Sequence, residues 1–214
     1  GPRHIATARM HRRAERGAQN WEEGRRLAHR YAKRGALPPA IAEEHRVQAH
    51  IELLAREAGD RGALEARLRR IPAEDLAHPR VAMAAARRAA ALGNAVLARE
   101  LLERSLAVEW NTALVQLYGD WPGSEPHRAQ EEARLRIERA ERWLREHAGD
   151  AQLLATLGRL CAAAGLWGKA QNYLEASLSF GATRAAHQEL ARLAEREGRA
   201  AEAQKHFRQA AEMP

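Results

Sequence analysis

Two stretches of this chain repeat each other at an offset of 33 residues. "LLATLGRLCAAAGLWGKAQNYLEASL" aligns with "HQELARLAEREGRAAEAQKHFRQA", placing Leu157 on Leu190, Arg159 on Arg192, Gly165 on Gly198, Ala170 on Ala203 and Leu174 on Phe207. An earlier stretch, "RVAMAAARRAAALGNAVLARELLERSL", joins them at an offset of 72. Arg87 falls on Arg159, Gly93 on Gly165, Ala98 on Ala170, Leu102 on Leu174 and Ser105 on Ser177. A fixed period of this length marks a unit that stacks on copies of itself, which excludes most other architectures.

Each unit reads as two helices joined at a glycine. A small residue stands where the paired helices touch (Gly158, Ala191), and an alanine (Ala170, Ala203) precedes a large apolar residue by four. Small residues at such contacts let one helix approach the other closely, and this pattern is that of tetratricopeptide repeats. Helical periodicity broken by glycine and proline predicts helices at about 3–16, 19–34, 39–58, 60–70, 80–92, 95–108, 111–118, 127–147, 151–164, 167–179, 184–197 and 200–212. The expected fold is all-α, a right-handed solenoid of antiparallel helix pairs. Residues 1–78 form degenerate basic hairpins, one turning at Gly17, and residues 79–214 form the repeat region. Its units are expected at about 79–110, 111–150 (irregular), 151–183 and 184–214, in one continuous solenoid.

Composition agrees. Aromatic residues make up 5% of 214 residues, and alanine, leucine, arginine and glutamate dominate. No apolar run is long enough to cross a bilayer. Cys161 is the single cysteine, so the chain makes no internal disulfide. The net charge of +7 lies entirely in residues 1–70, which hold 16 Lys and Arg against nine Asp and Glu; the remainder holds 19 of each. Such a block suits contact with an anionic membrane surface, a nucleic acid or an acidic protein; the alternative is a solvated, arginine-rich helix surface. It lacks the interleaved aromatics of single-strand binders and any helix-turn-helix signature, so no nucleic acid is expected.

Several stretches narrow the comparison further: "WNTALVQLYG" (110–119), "AERWLREHAGDAQLLATLGRLC" (140–161), "LWGKAQNYLEASL" (166–178) and, more loosely, "NWEEGRRLAHRYAKRGALPP" (20–39). On these the chain resembles the C-terminal repeat region of HemY, the membrane-anchored tetratricopeptide protein encoded in proteobacterial haem-biosynthesis operons. The resemblance implies two transmembrane helices upstream, a cytoplasmic face of the inner membrane, and a non-enzymatic role in late protohaem synthesis. It also implies membrane-associated enzymes of that pathway as protein partners. A haem- or porphyrin-binding carrier or regulator is the alternative. The unrelated flavin oxidase of the same name is excluded, because no dinucleotide glycine fingerprint is present.

In a repeat solenoid the first helix of each unit lines the concave face. Leu154, Leu157, Gly158 and Cys161 are expected against the partner helix. The stripe Gln152, Ala155, Arg159, Ala162 and Ala163 is then expected in the groove, with equivalents at Arg80, Met83 and Arg87 and at Ala185, Gln188, Arg192, Glu195 and Arg196. Arginine recurs at one place, and its planar fork suits a carboxylate. Arg87, Arg159, Arg192, Arg196, Met83 and Gln188 are therefore the expected partner-binding residues; bound partner acids include a peptide C-terminus or a porphyrin propionate. The alternative is that these arginines pair with glutamates of adjacent helices.

No catalytic constellation, P-loop or metal-ligand cluster is visible, and no cofactor or metal is expected. The ten histidines form no His-x3-His pair; His187 stands at a core position, and His147 ends a helix. Cys161 is expected to be buried. Glu138–Arg142 and Glu141–Arg145 are expected as ion pairs along one helix. Trp121, in "GDWPGSEP", is either a partner contact or folded back. Trp167 is expected to pack toward the neighbouring unit, with a helix or loop passing close over Gly168.

Overall fold

In a computed structural model, residues 21–33, 38–120, 126–181 and 183–213 are described. The helix expected over 3–16, the turn at Gly17 and the Trp121 loop lie outside them. The described residues form twelve helices and no strand. They are α1 (Trp21–Lys33), α2 (Pro39–Glu57), α3 (Arg61–Leu68), α4 (Ala73–Ala77), α5 (Pro79–Ala91), α6 (Ala95–Val108), α7 (Thr112–Tyr118), α8 (Pro126–Trp143), α9 (Ala151–Ala163), α10 (Trp167–Phe180), α11 (Arg184–Arg196) and α12 (Ala200–Glu212). The chain divides into two compact units, Gly1–Glu109 and Trp110–Pro214. The fold is the expected one: all-α, made of antiparallel helix pairs.

The repeat is most visible where helices stop. Gly93, Gly165 and Gly198 have φ of 72°, 74° and 73°, the left-handed region that glycine enters without steric cost. Each closes the same pair of bonds. Gly93 N–H donates to Ala90 O at 2.9 Å and Asn94 N–H to Ala89 O at 2.8 Å. The equivalents are Gly165 to Ala162 (3.0 Å) with Leu166 to Cys161 (2.8 Å), and Gly198 to Glu195 (3.0 Å) with Arg199 to Ala194 (2.8 Å). This pair of hydrogen bonds satisfies carbonyls that the helix end would orphan and reverses the chain in two residues. The pairs α5–α6, α9–α10 and α11–α12 follow directly.

Caps begin the helices as regularly. The side chains of Asn94, Asn111, Asp150 and Thr183 accept from the backbone N–H three residues on, at 3.1, 3.1, 2.9 and 3.0 Å. Ser105 and Ser177, equivalent by register, each donate from Oγ at 2.6 Å to a backbone carbonyl, Ala77 O at the end of α4 and Ala151 O at the start of α9.

In the first unit α2 and α5 pack together, burying Val47, Ala49, Leu53, Leu54, Val81, Ala82 and Ala85. The five-residue α4 was not expected; it lies between Pro72, its N-cap, and Pro79. It supplies Asp75, whose Oδ2 is 3.1 Å from Nε2 of the fully buried His50. The hydrogen bond from His50, with Arg46 nearby, holds the Asp75 carboxyl below its ordinary value.

In the second unit α9 lies between α7 and α8 on one side and α10 and α11 on the other, so Leu153 through Gly158 are all buried. Gly158 is indispensable to this contact. A Cβ there would stand 2.4 Å from Leu174 Cγ and 3.3 Å from Ala170 O, which only hydrogen can occupy. Burying Leu174 and similar side chains contributes about 1.5–3 kcal/mol each.

Candidate functional site

The first helices of the second unit, α7, α9 and α11, lie side by side. Thr156 Oγ1 donates to Val115 O at 2.9 Å, anchoring α9 on α7. Arg159, one turn further along α9, joins all three helices. Its Nη1 donates to Gln116 O at 3.4 Å, its Nη2 pairs with Asp120, and its Nε lies 3.8 Å from Glu189 Oε1 on α11. Glu189 also accepts from Arg192. Burial is the main influence pulling the Arg159 guanidinium below its ordinary value, Glu189 opposes it, and Arg192 adds to it. Arginine nevertheless stays charged.

The expected site residues divide into three groups. Arg159, Gln188 and Arg192 share the α9–α11 face: Arg159 is largely committed to acids of its own chain, Gln188 is half-buried and Arg192 is exposed. Arg192 spends part of its fork on Glu189 and retains further N–H donors. Arg87 and Met83 belong to the first unit, on α5, where Arg87 is exposed and Met83 half-buried. Arg80, on the same stripe, is taken by α2, donating to Glu44 at 2.7–2.8 Å and to Gln48 at 3.0 Å. Arg196 points elsewhere, its guanidinium 3.6 Å above the centre of the Trp167 ring. Trp167 thus packs toward the neighbouring unit, as expected.

Three expectations need correction. Ala155 does not line an open groove but is fully buried, because α7 and α8 cover that side of α9. Among the described residues no atom lies within 4 Å of a Cβ placed at Gly168; residues 121–125 of the loop expected there lie outside the described residues. The helix expected to end at 147 ends at Trp143 and continues as a turn, so His147 lies beyond its end. Glu141 does not pair with Arg145; it reaches across to α10, accepting from Lys169 Nζ at 2.9 Å and Tyr173 Oη at 2.8 Å. Those donors hold the Glu141 carboxyl below its ordinary value. Burial, aided by Glu141, pushes the Tyr173 hydroxyl up.

Sequence reading missed Glu189 and Asp120. Glu189 carries a signal, standing three residues before Arg192 on the same helix. Asp120 carries none, since only the fold brings it to Arg159.

The residues behind the family resemblance occupy structural positions. Trp110 stacks on His147 with ring centres 3.8 Å apart, meets Trp143 edge-on at 5.6 Å, and donates to Asp150 at 2.8 Å. Tyr118 meets Trp143 at 4.8 Å, and the buried Arg136 donates to Tyr118 O at 2.8 Å. Cys161 is buried and its thiol is pushed up to about 11, chiefly by burial. His187 is buried, with its Nδ1 3.0 Å from Nδ1 of His206. Among the described residues no group of three or more His, Cys, Asp or Glu is placed to hold a metal ion. No described helix is long and apolar enough to cross a membrane.

What the α9–α11 face offers is a mixed-charge surface, with Arg159 and Arg192 balanced by Asp120 and Glu189. A partner carboxylate would find donors on Arg192 first. To engage Arg159 it must displace an internal acid.

No family model and no curated protein matches the chain. Among solved structures, MamA 41-end from Desulfovibrio magneticus RS-1 aligns at 17% identity and a TM-score of 0.46, over 91% of this chain and 93% of that one. A MamA RS-1 ArsTM double mutant aligns at the same identity and score, over 91% and 94%. The repeat architecture rests on this chain's own three matching turns.

Proposed function

We propose that this protein is a non-enzymatic interaction scaffold serving late haem biosynthesis at the bacterial inner membrane. Its partners are proteins, taken on the first-helix faces of its repeats: Arg159, Gln188 and Arg192 in the second unit, and Met83 and Arg87 in the first; Arg196, turned onto Trp167, takes no part. The observation that carries the reading is the exposed, only partly committed arginine on those faces. Repeat proteins commonly use such faces to hold an extended partner. The haem assignment is supported by the resemblance of "WNTALVQLYG" and "LWGKAQNYLEASL" alone. The membrane-associated setting is supported by the excess of positive charge in residues 1–70, which anionic headgroups would attract.

The test is Arg87→Glu combined with Arg192→Glu, both at exposed positions. Co-purification of membrane-bound haem-pathway enzymes from cells expressing the variant is expected to fall tenfold or more, with the melting curve unchanged. Undiminished co-purification overturns the proposal.

A further inference from the structure

Of three arginines equivalent by register, Arg87 and Arg192 are exposed, whereas the Arg159 side chain is only 17% exposed. Two acids of its own chain meet Arg159, and they are held differently. Glu189, 14% exposed, lies 3.8 Å from Nε and also accepts from Arg192, so it is fixed in place. Asp120, 52% exposed, pairs with Nη2, and its carboxylate has no second partner among the described residues.

The backbone brings Asp120 there. α7 ends in a tight turn, with Gly119 N–H donating to Gln116 O at 3.1 Å and Asp120 N–H to Leu117 O at 2.9 Å. A Cβ at Gly119 would stand 3.2 Å from Thr156 Cγ2 and 3.4 Å from Arg159 Nη1. Without that Cβ the end of α7 lies against α9, and the next residue reaches the guanidinium. Arg159 in turn donates from Nη1 to Gln116 O at 3.4 Å.

We propose that Asp120 is an internal competitor for the Arg159 fork, standing in for a carboxylate that a partner segment brings. This rests on the reading of the α9–α11 face as a partner-binding surface. Displacing Asp120 requires no helix to move, because water already reaches half of its side chain. Nη2 and the second N–H of Nη1 can then take the two oxygens of one incoming carboxylate, while Nη1 keeps its bond to Gln116 O. Charge selects the ligand class. With Asp120 turned away, Arg159, Arg192 and Glu189 leave one positive charge, which a single carboxylate neutralises. A phosphate dianion would leave an excess negative charge beside Glu189. The ligand is therefore a peptide C-terminus or an Asp or Glu side chain of an extended segment. A surface ion pair is populated over its open form by about fivefold at most, and a site open for a fraction of the time binds more weakly by that fraction. Removing the competitor should tighten carboxylate binding by about the same factor.

The probe is glutarate, titrated at constant ionic strength into the isotope-labelled 214-residue chain and followed on the Arg159 Nε–H signal, which Arg159→Lys identifies by its loss. Asp120→Asn and Asp120→Ser should each bind glutarate about fivefold more tightly than the parent, with circular dichroism unchanged. Glu146→Gln removes the same charge at an exposed position beyond α8 and should leave binding at the parent level. Equal affinity in the parent and both Asp120 variants, an equal gain in Glu146→Gln, or tighter binding of inorganic phosphate than of glutarate by Asp120→Asn would each overturn the proposal. Failure of the wider reading shows separately: the parent would then capture no haem-pathway enzyme, and the glutarate titration would still decide whether Asp120 competes.

Discussion

Replacing glycine by alanine at two helical positions should have opposite effects on stability. In α9, a Cβ at Gly158 would sit 2.4 and 2.5 Å from Leu174 Cγ and Cδ2, about 1 Å inside normal contact. χ2 rotation leaves Leu174 Cγ in place, and a χ1 swing would drive this fully buried side chain into packed neighbours, so the helices must part. Overpacking of this severity costs about 3 kcal/mol. Alanine returns about 1 kcal/mol of helix propensity. The net loss for Gly158→Ala is therefore about 2 kcal/mol, or roughly 4–8 °C in a chain of this size. In α10, Gly168 is exposed and no described residue lies within 4 Å of its Cβ position. There only the propensity remains, and Gly168→Ala should stabilise by up to about 1 kcal/mol. Urea and thermal unfolding followed by circular dichroism read both. Adding Leu174→Ala to Gly158→Ala should cost less than the sum of the two single changes, since the new methyl then fills part of the cavity. A Gly158→Ala variant as stable as the parent would refute the close approach of α9 and α10, and a destabilised Gly168→Ala would refute the uncrowded setting of that glycine.

Two further outcomes follow from the buried groups. Burial first, and then the charge of His206, hold the His187 imidazole below its ordinary value of 6.5. The folded state thus binds protons less readily than the unfolded one, so stability present above pH 6.5 is lost as the pH falls through the folded value. Melting temperature should decline over that range, and less steeply in His206→Gln. Cys161, with its thiol at about 11, should resist aromatic disulfide reagents at pH 8 until the chain is unfolded, when it should react at once.

Much of the fold is legible in the sequence because the repeat is local. Offsets of 33 and 72 align Gly93, Gly165 and Gly198, and all three make the same left-handed turn. The same register places Gly158 and Cys161 at the helix contact. What the sequence hides lies across elements. Counting four residues along α8 pairs Glu141 with Arg145, but the carboxylate gains more from two donors on α10. The register also marks Arg159 as a groove residue without revealing Asp120, which approaches from beyond α7. A glycine at 168 suggests that something crowds it; no described residue does. Asp75 and His50, 25 residues apart, become neighbours only because a five-residue helix between prolines brings the carboxylate back to α2.

The central claim is that the first-helix faces hold a polypeptide. A photo-cross-linking residue placed at Gln188, half-buried beside Arg192 on α11, tests it against the same residue at Glu175, exposed on α10. In living cells, mass spectrometry should find cross-links to a membrane-associated haem-pathway enzyme from position 188 and not from position 175. Cross-links of equal yield from both positions, or none to such an enzyme from 188, would contradict it.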